Sequence, residues 1–128
     1  MKVYSFEKLE FWQHARQLAV WTYINTKEFP QEEKFGLVSQ MRKASISVAS
    51  NIAEGTYRKT SKDQAHFTTS AYSRTIELFN HLIISNDLCL LSKEQYEQGR
   101  EIIEKQTLLI SGLRKSQQRA GFLSFLNF

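Results

Sequence analysis

Residues 34–56, KFGLVSQMRKASISVASNIAEGT, decide the fold. Leu37, Met41, Ala44, Val48 and Ile52 recur every three or four positions. At about 100° per residue that spacing puts them on one face of an α-helix. The same stretch is rich in small residues (Ala44, Ser45, Ser47, Ala49, Ser50, Ala53), which let neighbouring helices approach closely. Gly55, near its end, fits a C-terminal stop. A helix is therefore expected from about Lys34 to Thr56.

Outward from it, the same periodicity appears three more times. Phe11, Trp12, Ala15, Leu18, Ala19, Thr22 and Tyr23 share a broad face of a preceding helix. Ser5 is its expected N-cap, and Phe29-Pro30 ends it because the residue before proline disfavours the α region. Ser61-x-x-Gln64 reads as a capping box opening a third helix. That helix turns Phe67, Ala71, Leu78, Phe79, Leu82 and Cys89 inward, with His66, Ser70, Arg74, Glu77 and His81 on its other side. Ser92-x-x-Gln95 repeats the box before a fourth helix with Ile102, Ile103, Leu109, Ile110 and Leu113 on its apolar face. No Asn-Gly or Asp-Gly hairpin turn occurs. Short connections force neighbouring helices antiparallel, so the expected fold is all-α, an antiparallel up-down-up-down four-helix bundle. Residues 1–121 form the bundle and residues 122–128 an apolar C-terminal tail.

The 128 residues suit one domain, and 41% hydrophobic residues supply its core. A lone cysteine, Cys89, excludes a disulfide framework; among Leu88, Leu90 and Leu91 it reads as a buried small hydrophobe. The longest stretches free of charged residues, such as Gln17–Thr26, are ten residues, against about 20 for a membrane span. The first ten residues interleave Lys2, Glu7, Lys8 and Glu10 with apolar ones, unlike a secretory signal. A soluble cytoplasmic domain, with no membrane partner, is expected.

Catalytic patterns are missing. No Glu-x-x-His pair supports a di-iron site, and there is no phosphate loop, nucleophile elbow or dinucleotide glycine pattern. His14, His66 and His81 fall on polar faces at unrelated angles, so no metal is expected. Glu94, Glu97, Glu101 and Glu104 line the side opposite the fourth helix's core face, the usual place of a solvated stripe, with Glu101 and Lys105 spaced to pair. The reading is a chain that is not an enzyme and carries no catalytic residues or cofactor.

Charge is uneven. The net charge of +4 hides segments of −1 (residues 1–33), +5 (34–62), −3 (63–113) and +3 (114–128). Up-down threading collects Lys2, Lys8, Arg58, Lys59, Lys62, Arg114, Lys115 and Arg119 at one end, opposed by Glu7, Glu10, Glu54 and Asp63. Arg58, Lys59, Lys62, Arg114, Lys115 and Arg119 are the candidate nucleic-acid contacts, with Tyr57 placed to stack on a base. Val20, Trp21 and Ile24 lie off the core face of the first helix and, with Arg42 and Lys43 facing a neighbour's acidic stripe, are the candidate oligomer interface. Docking of another protein through Trp21 or the tail is the competing use of the same surfaces.

Phe35-Gly36-Leu37-Val38-Ser39-Gln40-Met41-Arg42-Lys43-Ala44 and the following Ser45 to Gly55 resemble a bacterial family encoded in intervening sequences of 23S ribosomal RNA genes and labelled ribosomal-protein-like. Leu9-Glu10-Phe11-Trp12-Gln13, Phe29-Pro30 and Glu77-Leu78 extend the likeness, and Ser50-Asn51-Ile52-Ala53-Glu54-Gly55 is its most specific string. The resemblance implies a four-helix bundle assembling into a ring, typically a homopentamer, and associating with RNA or DNA. Similar proteins are accessory factors to reverse transcriptases of diversity-generating retroelements. Ser50, Asn51, Glu54 and Gly55 form a motif whose polar members are expected to bond across helices or cap the next loop. Ala49 stands where relatives often have proline, so a straighter helix is expected there.

Overall fold

A computed structural model describes residues 1–126, without the side chains of Ser124 and Phe125. Four long α-helices follow one another: α1 (Glu10–Asn25), α2 (Ser39–Thr56), α3 (Ser61–Asp87) and α4 (Lys93–Leu126). A 3-10 turn, Ser5–Lys8, precedes α1; a second, Gln31–Glu33, runs into a π-helical turn, Lys34–Val38, that leads into α2. Each helix packs on the next and α4 returns to α1. The fold is the expected all-α four-helix bundle, with no strand among the described residues. No helix among them is long and apolar enough to cross a membrane.

The core forms where the periodicities meet. Met41, Ala44, Val48 and Ile52 of α2 are buried against Leu18 of α1, Leu78 and Leu82 of α3, and Ile103 and Ile110 of α4. Buried hydroxyls cause no loss, because each bonds back within its own helix: Thr22 Oγ1 donates to the Leu18 carbonyl and Thr75 Oγ1 to that of Ala71, both at 2.8 Å. α2 continues unbroken through Ala49.

Two polar-looking positions of α1 are interior. Trp21 is only 9% exposed, not a surface residue. Its Nε1–H donates to Gln98 Oε1 at 2.9 Å, and its ring lies on Gly99 of α4. A Cβ at Gly99 would come within 2.9 Å of the indole Cζ2 and closer still to Cη2. The α1–α4 approach therefore needs a glycine there. His14 is likewise buried, not on a solvated face, with Nδ1 2.6 Å from Oε1 of the fully buried Gln106. Gln106 Nε2 donates to the Phe11 carbonyl at 3.1 Å, so its oxygen accepts and His14 Nδ1 carries the hydrogen.

Several local signals act differently from their sequence reading. Ser5 opens the 3-10 turn instead of capping α1, whose N-cap is Leu9. Gly55 lies inside α2, where a Cβ would meet Phe67 Cβ at 2.9 Å; it permits close approach of α3 instead of ending α2. Thr60, not Ser61, caps α3, its Oγ1 accepting from the Asp63 N–H at 3.1 Å. The Ser92/Gln95 box forms reciprocally at 2.8 and 3.1 Å. Cys89 is exposed, not buried: it holds φ 60° in the turn after α3. There Leu90 N–H bonds back to the Ser85 carbonyl and Cys89 N–H to that of Asn86, both at 3.0 Å, the pattern that usually employs glycine. α4 runs on to Leu126, so residues 122–126 of the apolar C-terminal tail are helical; its Asn127 and Phe128 lie outside the described residues.

Gly99→Ala should cost about 1–3 kcal/mol by overpacking Trp21, read as a lower urea midpoint. Cys89→Gly should raise stability by about 1 kcal/mol in the same assay, because it removes a left-handed non-glycine residue.

Candidate nucleic-acid interface

The segment before α1, the α2–α3 turn and the C-terminal part of α4 share one end of the bundle. Ser5 Oγ lies 3.4 Å from the Tyr57 hydroxyl, and Phe6 meets the Tyr57 ring edge-on at 6.2 Å. Thr68 Oγ1 donates to Gln117 Oε1 at 2.7 Å, and Gly121 faces Ser61 across 3.6 Å, measured from a Cβ built on the glycine. A cleft of about 300 Å³ lined by Leu9, Gly55, Gln64, Thr68 and Gln117 joins the four helices there.

Lys59, Lys62 and Arg119 are exposed at this end. Arg58, also exposed, holds its guanidinium over the Phe67 ring at 4.5 Å. Arg114 and Lys115 lie farther down the flank, about 10 Å along α4 from Gly121. Arg114 is half-buried, its guanidinium over the Tyr72 ring at 4.9 Å, and Lys115 is exposed. Tyr57 is exposed, but its hydroxyl and one ring edge are taken up by Ser5 and Phe6. Of the opposing carboxylates, Glu7 accepts from the Tyr4 N–H at 2.7 Å, while Glu10, Glu54 and Asp63 are exposed. Among the described residues, no ion pair involves a cation of this end. Its positive charge faces solvent.

The other predicted sites disperse. Arg42 is turned into its own chain: Nε donates to Thr26 Oγ1 at 3.0 Å, Nη2 to the Tyr23 carbonyl at 3.2 Å, and the guanidinium lies over the Tyr23 ring at 4.6 Å. It satisfies the C-terminal end of α1, where a cation also suits the helix dipole. Lys43 is exposed. In the motif, Asn51 Nδ2 bonds to the Ser47 carbonyl of its own helix at 2.8 Å. Ser50 and Glu54 are exposed, and only Gly55 links two helices. The acidic stripe is exposed, with Lys93–Glu97 at 4.0 Å and Arg100–Glu104 at 3.0 Å as its ion pairs in place of Glu101–Lys105. Hydrogen bonds to the Tyr96 hydroxyl and to Glu104 push the Arg100 guanidinium above its ordinary value, so it stays charged. No group of three or more His, Cys, Asp or Glu is placed to hold a metal among the described residues.

With Trp21 inside, Val20 and Ile24 remain 54% and 56% exposed. Val20 is a ridge between two grooves. One, about 460 Å³ between α1 and α4, is lined by Arg16, Val20, Trp21, Ile24 and Ile102. The other, about 270 Å³ between α1 and α2, is lined by Trp12, Ala19, Val20, Ala49 and Ala53. The grooves escaped the sequence reading, although their signal, small residues facing a large exposed one, is present in it.

The profile of the 23S rRNA-intervening sequence protein family matches residues 7–112. The chain belongs to this family. No curated protein matches it. A solved structure of a protein of unknown function from the S23 ribosomal protein family of Bacteroides thetaiotaomicron VPI-5482 superposes with a TM-score of 0.74 at 18% identity. The match covers 82% of this chain and 98% of that one, and it shows a shared fold. The family match stops before Arg114, so Arg114, Lys115, Arg119 and the end of α4 lie outside it.

Proposed function

We propose that the chain is a non-enzymatic binding protein for nucleic acid, structured RNA above all, that acts as a ring-shaped homo-oligomer. One observation carries this reading: three stretches distant in sequence present exposed cations without an ion pair, Lys2 and Lys8, then Arg58, Lys59 and Lys62, then Arg119, at one end of the bundle. Such a cluster binds phosphate by releasing condensed counterions, which needs no sequence-reading motif. A ring repeats the basic end around one rim and raises the field above what +4 per chain supplies. The family's name, which refers to the 23S rRNA intervening sequence, supports an RNA partner. The ridge of Val20 and Ile24 between two apolar grooves supports contact between copies, in a pentamer as the family resemblance implies. Those grooves also favour a second reading, a protein scaffold or accessory subunit, for instance to a reverse transcriptase, without nucleic-acid contact.

Titration with a 23S rRNA fragment across a salt series separates the two. The wild-type chain should bind with an affinity that falls steeply with salt. Lys59→Gln with Lys62→Gln should weaken binding and flatten the slope of log K against log salt by about one unit per lost contact. Salt-insensitive or absent binding would leave the scaffold reading. Val20→Asp with Ile24→Asp should convert the oligomer to monomer on a sizing column with helical circular dichroism retained; an unchanged elution volume would remove this ridge from the interface.

A further inference from the structure

We infer that the outward face of α4 from Ser111 to Leu126 is a site for unpaired nucleotides, with phosphate against Arg114 and Lys115 and a base stacked on Phe122. The inference rests on the nucleic-acid reading and names its ligand. Ser111, Arg114, Lys115 and Gln118 line a shallow groove of about 200 Å³, with two cations and no carboxylate. Phe122, 62% exposed, stands one helical turn, about 6 Å, beyond Gln118. Arg114 is held in place over Tyr72, so the edge of the groove is formed before any ligand arrives. From Lys105 to the end of the chain the charged residues are Lys105, Arg114, Lys115 and Arg119, all basic.

Spacing along the helix selects the ligand. At 100° per residue, Lys115, Arg119, Phe122 and Leu126 fall within about 60° of one another. Two cations and then two apolar groups thus follow one another along a single stripe. A helix lying on a lipid surface needs them on opposite faces, so a bilayer fits poorly. Pairing of two such stripes would set cation against cation when parallel and cation against apolar group when antiparallel, so a second copy meeting this face with its own fits no better. A nucleotide strand joins the complementary pair of groups, anionic phosphate beside flat apolar base. Bases in a duplex are already stacked inside it, so an aromatic ring on a protein surface engages those that are unpaired.

Fluorescence anisotropy with a labelled single-stranded oligonucleotide, and with the duplex of the same sequence, tests this on the full chain. Phe122→Ala should weaken single-strand binding roughly 5- to 100-fold and leave duplex binding and its salt slope unchanged. Phe122→Trp should keep the affinity and show extra fluorescence quenching on single-strand binding. Equal effects on both ligands, or none, would overturn the inference while the basic-end reading stands. So would a shift of Phe122→Ala on a sizing column, which assigns the face to contact between copies, or loss of anionic-vesicle binding with single-strand binding intact. If the wild-type chain binds neither oligonucleotide in a salt-sensitive way, both readings fall together.

Discussion

Four residues, Tyr57 to Thr60, join α2 to α3, and five, Leu88 to Ser92, join α3 to α4. Fully extended, such segments reach about 13–18 Å, little more than the 8–10 Å between packed helix axes. The helices α2, α3 and α4 have no choice but to run antiparallel, each beside the next. From that constraint comes the placement of Lys59, in the α2–α3 connection, and Lys62, on the first turn of α3, near Arg119, nearly sixty residues later. The polar distribution of charge is a consequence of chain geometry, not of a dedicated binding element.

Within that frame, close approach is set by residues that lack bulk. Gly99 receives the Trp21 indole and Gly55 receives Phe67, each at distances a β-carbon would forbid. These contacts lie on opposite sides of the bundle, one joining α1 to α4 and the other α2 to α3. The interior is not purely apolar. The chain from His14 through Gln106 to the Phe11 carbonyl spans α1 and α4, and both polar atoms of the Gln106 amide have a partner in it. A half-satisfied network of this kind is costly in a low-dielectric core, so it favours this register of α4 against α1 over shifted ones.

The surface divides into parts with different physics. The basic end offers exposed charge, the Val20 ridge offers apolar shape, and the end of α4 mixes the two along one line. The family match takes in the Val20 ridge and Arg58, Lys59 and Lys62 of the basic end, and stops short of Arg119 and the end of α4. The bundle through residue 112 is therefore shared with the family.

The sequence by itself determined the helices, their order and most of their inward faces, because 3.6-residue periodicity and short connections act locally. Met41, Ala44, Val48 and Ile52 were legible for that reason, and so was the Ser92/Gln95 cap. Only the tertiary structure decided which polar residues are interior and which apolar ones are not. His14 lies about 40° from Leu18 on its helix, and α4 happens to cover that flank with Gln106, a partner 92 residues away. Trp21 was misplaced for the same reason: whether a flank is solvated depends on the neighbour across it, and Gly99 gives no apolar signal of its own. The leucine neighbours of Cys89 point to burial, but a left-handed turn aims it at solvent. Arg42 shows the same limit, since a charge that reads as surface is held against the end of α1 by a carbonyl and a hydroxyl that no local pattern reveals.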